Sequence, residues 1–154
     1  MRITAEILSQ AEQRTNPLGE RELVLQGLGI PAIENGAATR DAFDCWDLSN
    51  NRICRLENFP KLLRLESLLC AGNTIDSIDA ANLSANLPNM KSLILADNNI
   101  SSLAVAAQLG QSFPKLEFLD LTGNPVTRES FWWRFCCELV FFPAPWLTHW
   151  TRCS

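Results

Sequence analysis

Several things this 154-residue sequence lacks narrow its function before any motif is read. It has no excess of basic charge: 13 Lys and Arg stand against 17 Asp and Glu, for a net charge of −4. Neutralising phosphates takes clustered Lys and Arg, so this balance argues against a stand-alone nucleic-acid binder. It leaves room for a few phosphate contacts beside a basic partner. Histidine occurs once, as His149, and the six cysteines (Cys45, Cys54, Cys70, Cys136, Cys137, Cys153) form no paired CxxC pattern. One histidine cannot complete a familiar zinc set, so we expect no metal, no cofactor and reduced thiols, as in the cytosol or nucleus. No phosphate-binding loop and no Ser/His/Asp arrangement is present, so no enzyme activity and no small-molecule substrate are expected. The start, MRITAEILSQAEQ, has no apolar run of the kind a secretory signal needs. The apolar stretch near the end is interrupted by Arg134, Glu138, Pro143 and Pro145. It therefore falls short of the ~20 apolar residues of a membrane helix, and no membrane partner is expected.

What is present is a repeat. Apolar residues recur in the pattern L-x-x-L-x-L-x-x-N-x-L. Phe43, Trp46, Leu48, Asn51 and Ile53 fit it; so do Leu65, Leu68, Cys70, Asn73 and Ile75. Met90, Leu93, Leu95, Asn98 and Ile100 form the next copy, and Leu116, Leu119, Leu121, Asn124 and Val126 the last. The asparagines lie 22, 25 and 26 residues apart. A degenerate first copy uses Leu23, Leu25, Leu28 and Ile30, with Leu28 in the asparagine slot. The spacing predicts an α/β leucine-rich-repeat solenoid of about five repeats, with a parallel concave sheet and short helices or 3₁₀ turns on the convex side. The two apolar residues of each L-x-L segment point to one side of a strand, and their neighbours point to the other. Each asparagine follows a strand and can satisfy backbone groups that the turn leaves unpaired, so stacked copies should form a structural ladder. Phe59, Leu62, Leu83, Leu87, Leu109 and Phe113 should line the back of the core. Pro60, Pro88 and Pro114 should set the entry to each following strand.

A solenoid must cover its terminal turns. Thr4 can cap a helix from about Ala5 to about Gln13, with Ile3, Ile7, Leu8 and Ala11 as its apolar stripe and Asn16-Pro17 as its stop. Residues 1–127 are therefore read as the repeat domain with its N-terminal cap. Residues 128–154 are read as an atypical C-terminal cap or tail, with a helix over Phe131–Val140.

The outward strand residues define the candidate site. They are Glu22, Val24 and Gln26; Cys45, Asp47 and Ser49; Ser67, Leu69 and Ala71; Ser92, Ile94 and Ala96; and Phe118, Asp120 and Thr122. Five strands give a face about 19 Å wide, enough for one helix of about 10–12 Å. Val24, Leu69, Ile94 and Phe118 offer apolar anchors, while Glu22, Asp47 and Asp120 add negative charge. That mix suits a partner helix bearing apolar and basic residues. Arg2, Arg14, Arg21 and Arg40, near the N-terminal end, are weaker candidates for RNA phosphate contact.

Some stretches are more particular than the repeat. TAEIL, RELVLQGLGIPAIEN and ATRDAFDCWDLSNNRI, followed by FPKLLRLESLL, LPNMKSLILADNNI and PKLEFLDLTGNPVT, resemble the A-prime proteins of the U2 small nuclear ribonucleoprotein. The likeness covers roughly residues 3–127. It implies a nuclear, spliceosomal protein. It also implies an RNA-recognition-motif partner, the B-double-prime protein of the U2 particle, with U2 RNA bound mainly through that partner. The repeat alone would also suit another intracellular leucine-rich adaptor, resembling an acidic nuclear phosphoprotein or an axonemal light chain. After Thr127 the family pattern is lost. Trp133-Arg134 stands where the family has Tyr-Arg, and a splice or frame variant would produce such a tail.

Overall fold

The computed structural model of the chain describes residues 5–34 and 36–128. A short helix, α1 (Ala5–Gln10), leads into an antiparallel pair, β1 (Glu12–Thr15) and β2 (Arg21–Val24). A 3₁₀ turn over Gly36–Thr39 precedes β3 (Cys45–Asp47) and β4 (Arg55–Leu56). Then follow β5 (Ser67–Leu69), β6 (Ser77–Ile78), α2 (Ala80–Asn86), β7 (Ser92–Ile94), α3 (Leu103–Ser112) and β8 (Phe118–Asp120). A second 3₁₀ turn covers Pro125–Arg128. The main sheet has the order β1-β2-β3-β5-β7-β8, and every pair after β1-β2 is parallel. The repeats thus stack in chain order, as the spacing predicts.

The inward residues explain the stacking. Leu23, Trp46, Leu68 and Leu93 face one another through the sheet register and are fully buried, with Leu25, Leu48, Cys70 and Leu95 continuing the core. Burying one such side chain contributes roughly 1.5–3 kcal/mol. Phe59, Leu62, Leu83, Leu87, Leu109 and Phe113 close the back of the core, as expected. Gly36 is needed for space: a Cβ there would meet Pro60 Cδ at 2.8 Å and Trp46 Cη2 at 3.1 Å.

The asparagine ladder forms. Asn73 Nδ2 donates to Leu48 O and Cys70 O, both at 3.0 Å, and its Oδ1 accepts from Ile53 N at 3.1 Å. Asn51, Asn98 and Asn124 repeat these bonds in the other turns. Each amide therefore ties its own turn to the preceding one. The first copy follows an antiparallel hairpin rather than another repeat, so it has no earlier turn to tie, which accounts for Leu28 in that slot. The residue before each ladder asparagine has positive φ: Asn50 (56°), Gly72 (66°), Asp97 (53°) and Gly123 (77°). These are the residue types that reach the left-handed region at least cost. A Cβ on Gly72 or Gly123 would overlap the side-chain oxygen of Asn50 or Asp97 respectively, so residue size alternates along this column.

Two features differ from expectation. The N-terminal helix ends at Gln10 rather than near Gln13, because Glu12–Thr15 pairs with β2 as an extra strand. The edge of a parallel sheet exposes unpaired backbone groups, and β1 satisfies them. Asn16 closes the hairpin, its Oδ1 accepting from Leu18 N and Glu20 N at 3.0 Å each. The convex side also carries a small parallel sheet, β4-β6, alongside the expected short helices. The expected helix over Phe131–Val140 lies outside the described residues.

Candidate functional site

The registers align the outward residues into rows across six strands. One row runs Arg14, Glu22, Cys45, Ser67, Ser92, Phe118. The next runs Glu12, Val24, Asp47, Leu69, Ile94, Asp120. Backbone bonds such as Gly27 N to Ser49 O and Gly72 N to Ala96 O carry the pairing onward, so Gln26, Ser49, Ala71, Ala96 and Thr122 form a third row. With β1 included the face spans five strand spacings, about 24 Å rather than 19 Å.

The rows differ in access. Glu22, Cys45, Ser67 and Asp47 are buried, not open to solvent as their outward direction suggests. The cause is a polar cover at the N-terminal end. Arg14 Nε donates to Glu22 Oε2 at 2.8 Å and its Nη2 to Glu22 Oε1 at 3.1 Å. Glu20 reaches over the first strands to accept from Ser67 Oγ at 3.0 Å, and is itself held by Asn16 Nδ2 at 2.6 Å. Glu22 therefore meets an internal cation and does not stand as free negative charge. Its side-chain bond and charge raise the Arg14 pKa. Burial, reinforced by Glu22, Glu20 and Asp47, pushes the Cys45 thiol up to about 12.

Val24, Leu69, Ile94 and Phe118 are half-buried, and Ser92 lies among them. Asp47 and Asp120 bracket Leu69 and Ile94 in the second row, each fixed by a bond to the residue two ahead: Ser49 N donates to Asp47 Oδ1 at 2.9 Å, and Thr122 N to Asp120 Oδ1 at 2.9 Å. The accessible surface is thus an apolar strip with a carboxylate held rigidly at its β8 end. Among the described residues no group of His, Cys, Asp and Glu could hold a metal ion, and no helix is long and apolar enough to cross a membrane.

A leucine-rich-repeat family signature matches residues 1–140. The chain is similar to U2 small nuclear ribonucleoprotein A′ of Neurospora crassa, 42% identical over 145 residues, covering 92% of this chain and 56% of that one. It is 42% identical over 130 residues to the Homo sapiens A′ protein, covering 84% of this chain and 50% of that one. Among solved structures it matches a chain of the Drosophila melanogaster SNF/U2A′ complex with a TM-score of 0.85 and 40% identity, covering 90% of this chain and 79% of that chain. The chain belongs to the leucine-rich-repeat family, among the U2 A′ proteins. It spans about half the length of the curated A′ relatives it matches.

Within this A′ framework the four basic candidates separate. Arg14 sits on the concave face itself, paired with Glu22. Arg21 is at the strand-entry rim, its guanidinium 5.8 Å from the centroid of the Phe43 ring and its backbone N–H donating to Asp44 Oδ2 at 3.0 Å. That backbone bond leads the lowering of the Asp44 pKa. Arg40 is exposed, with a left-handed φ of 53°. Arg2 lies outside the described residues. Sequence reasoning missed Glu12 and Arg14 as members of the concave face. The signal was the polar stretch Glu12–Thr15, too polar to continue the apolar stripe of α1 and long enough for one edge strand.

Proposed function

We propose that this chain is a non-catalytic, nuclear scaffold of the U2 small nuclear ribonucleoprotein in pre-mRNA splicing. It holds an RNA-recognition-motif protein of the B-double-prime type on its concave sheet, the place we give to SNF in the Drosophila complex. U2 stem-loop RNA is engaged mainly through that partner. The observation that carries this reading is the similarity to a chain crystallised with SNF. The concave face supports it: Val24, Leu69, Ile94 and Phe118 present an apolar strip, and Asp120 a fixed carboxylate, for a helix with apolar and basic residues. Arg21 and Arg40 are the residues we assign to direct phosphate contact, since the Arg14 charge is already matched by Glu22.

The test is affinity capture from nuclear extract with the full chain. An RNA-recognition-motif protein should be recovered together with U2 RNA, and a Phe118→Ala/Asp120→Arg variant should recover neither. Capture of neither by the native chain, with folding verified by circular dichroism, would overturn the proposal.

A further inference from the structure

At its N-terminal end the concave face does not stop at the sheet. Ile7, Gln10 and Ala11, with Glu12, Val24, Gln26 and Leu28, line a half-open cavity of about 360 Å³. Val24 and Gln26 belong to the concave rows, so cavity and face are continuous. A volume of about 150 Å³ already admits a benzene ring, so this half-open cavity has room for a large apolar side chain. Ile7, Ala11, Val24 and Leu28 are its apolar lining, and Gln10, Gln26 and Glu12 its polar lining.

Leu28 is the informative residue. It occupies the ladder slot where the other repeats have buried asparagines, but this turn has no preceding repeat to tie. The repeat architecture has no use for an apolar side chain here, yet Leu28 is 39% exposed and faces the cavity. Glu12, exposed on β1, sets a carboxylate at the mouth in line with Val24.

We propose that this cavity is the end-pocket of the concave site and takes an apolar side chain of the docked partner helix, with Glu12 pairing an adjacent Lys or Arg of the same segment. This deepens, and rests on, the proposed binding of an RNA-recognition-motif protein to the concave sheet. The pocket fixes where the partner segment ends, because an apolar side chain seated between α1 and β2 prevents it from sliding along the strip.

The experiment titrates the full chain with Drosophila melanogaster SNF by calorimetry, with melting temperatures as the fold control. Leu28→Asp should weaken binding about tenfold, and so should Ala11→Phe, which fills the cavity. Leu28 is exposed, so that variant carries the test should Ala11→Phe fail to fold. Glu12→Gln should weaken binding about threefold at low salt, with the difference fading at high salt. A separate Ile94→Arg variant tests the sheet alone. Lost binding with Ile94→Arg, but affinity within twofold of native for both Leu28→Asp and Ala11→Phe, overturns the pocket and leaves the concave reading standing. Native affinity with Ile94→Arg overturns both. Equal salt dependence of native and Glu12→Gln removes the basic partner residue from the assignment.

Discussion

Leu23, Trp46, Leu68 and Leu93 alternate along the same strands with Val24, Asp47, Leu69 and Ile94. The first set is fully buried and almost uniform in chemistry. The second mixes apolar and acidic residues, most of them half-buried. A residue on the inner side is fixed by its neighbours in the adjoining turns and by the ladder beside it. A residue on the concave side answers to less: among the described residues, only the Arg14–Glu22 and Ser67–Glu20 bonds cross this face between side chains. The repeat determines one side of each strand and leaves the other available for a partner.

This contrast can be broken most forcefully from the inner side. Asn98→Ala removes the amide that accepts from Ile75 N and donates to Cys70 O and Leu95 O. Buried backbone groups would lose their partners, and we expect a loss of about 3 kcal/mol in urea unfolding. A loss below about 0.5 kcal/mol would mean that the ladder does not hold the turns together. Gly72→Ala comes next: it forces a side chain into positive φ and against Asn50. We expect a cost of about 1–2 kcal/mol, measured the same way.

The smallest effect is chemical and sharpens the boundary between the two sides. Cys45 belongs to the concave face but lies beneath the Arg14 and Glu20 cover, with its thiol pKa raised to about 12. Cys70 is in the core, where burial raises its pKa further. Cys54 is exposed on the turn after β3. The thiolate is the reactive form, so at pH 8 Cys54 should alkylate while Cys45 and Cys70 remain protected, as read by peptide mass spectrometry. Labelling of Cys45 as fast as Cys54 would mean that the cover does not hold.

The inner side was legible because its cause is local and repeated. Four asparagines at near-constant spacing, each following an L-x-L segment, identify the strands, their register and the core in one pattern. The direction of the concave residues followed from the same alternation. Their access did not, because it depends on long-range contacts such as Ser67 with Glu20, 47 residues apart. Glu22 and Cys45 were read as facing solvent for that reason. The β1 strand was hidden because four exposed polar residues carry no apolar alternation. Its role comes from the open edge of β2, which exists only once the sheet is assembled. The same reason obscured the purpose of Leu28, which is degenerate as a repeat residue and becomes interpretable only beside α1.

In the proposed division of labour, the half-buried apolar strip binds a partner while the inner side holds the fold. Calorimetry of Ile94→Arg against an RNA-recognition-motif partner, paired with thermal melting, tests it most directly. The expected result is an affinity loss of about 30-fold or more with a melting temperature within about 3 °C of the native chain. Native affinity in a folded Ile94→Arg variant would contradict it.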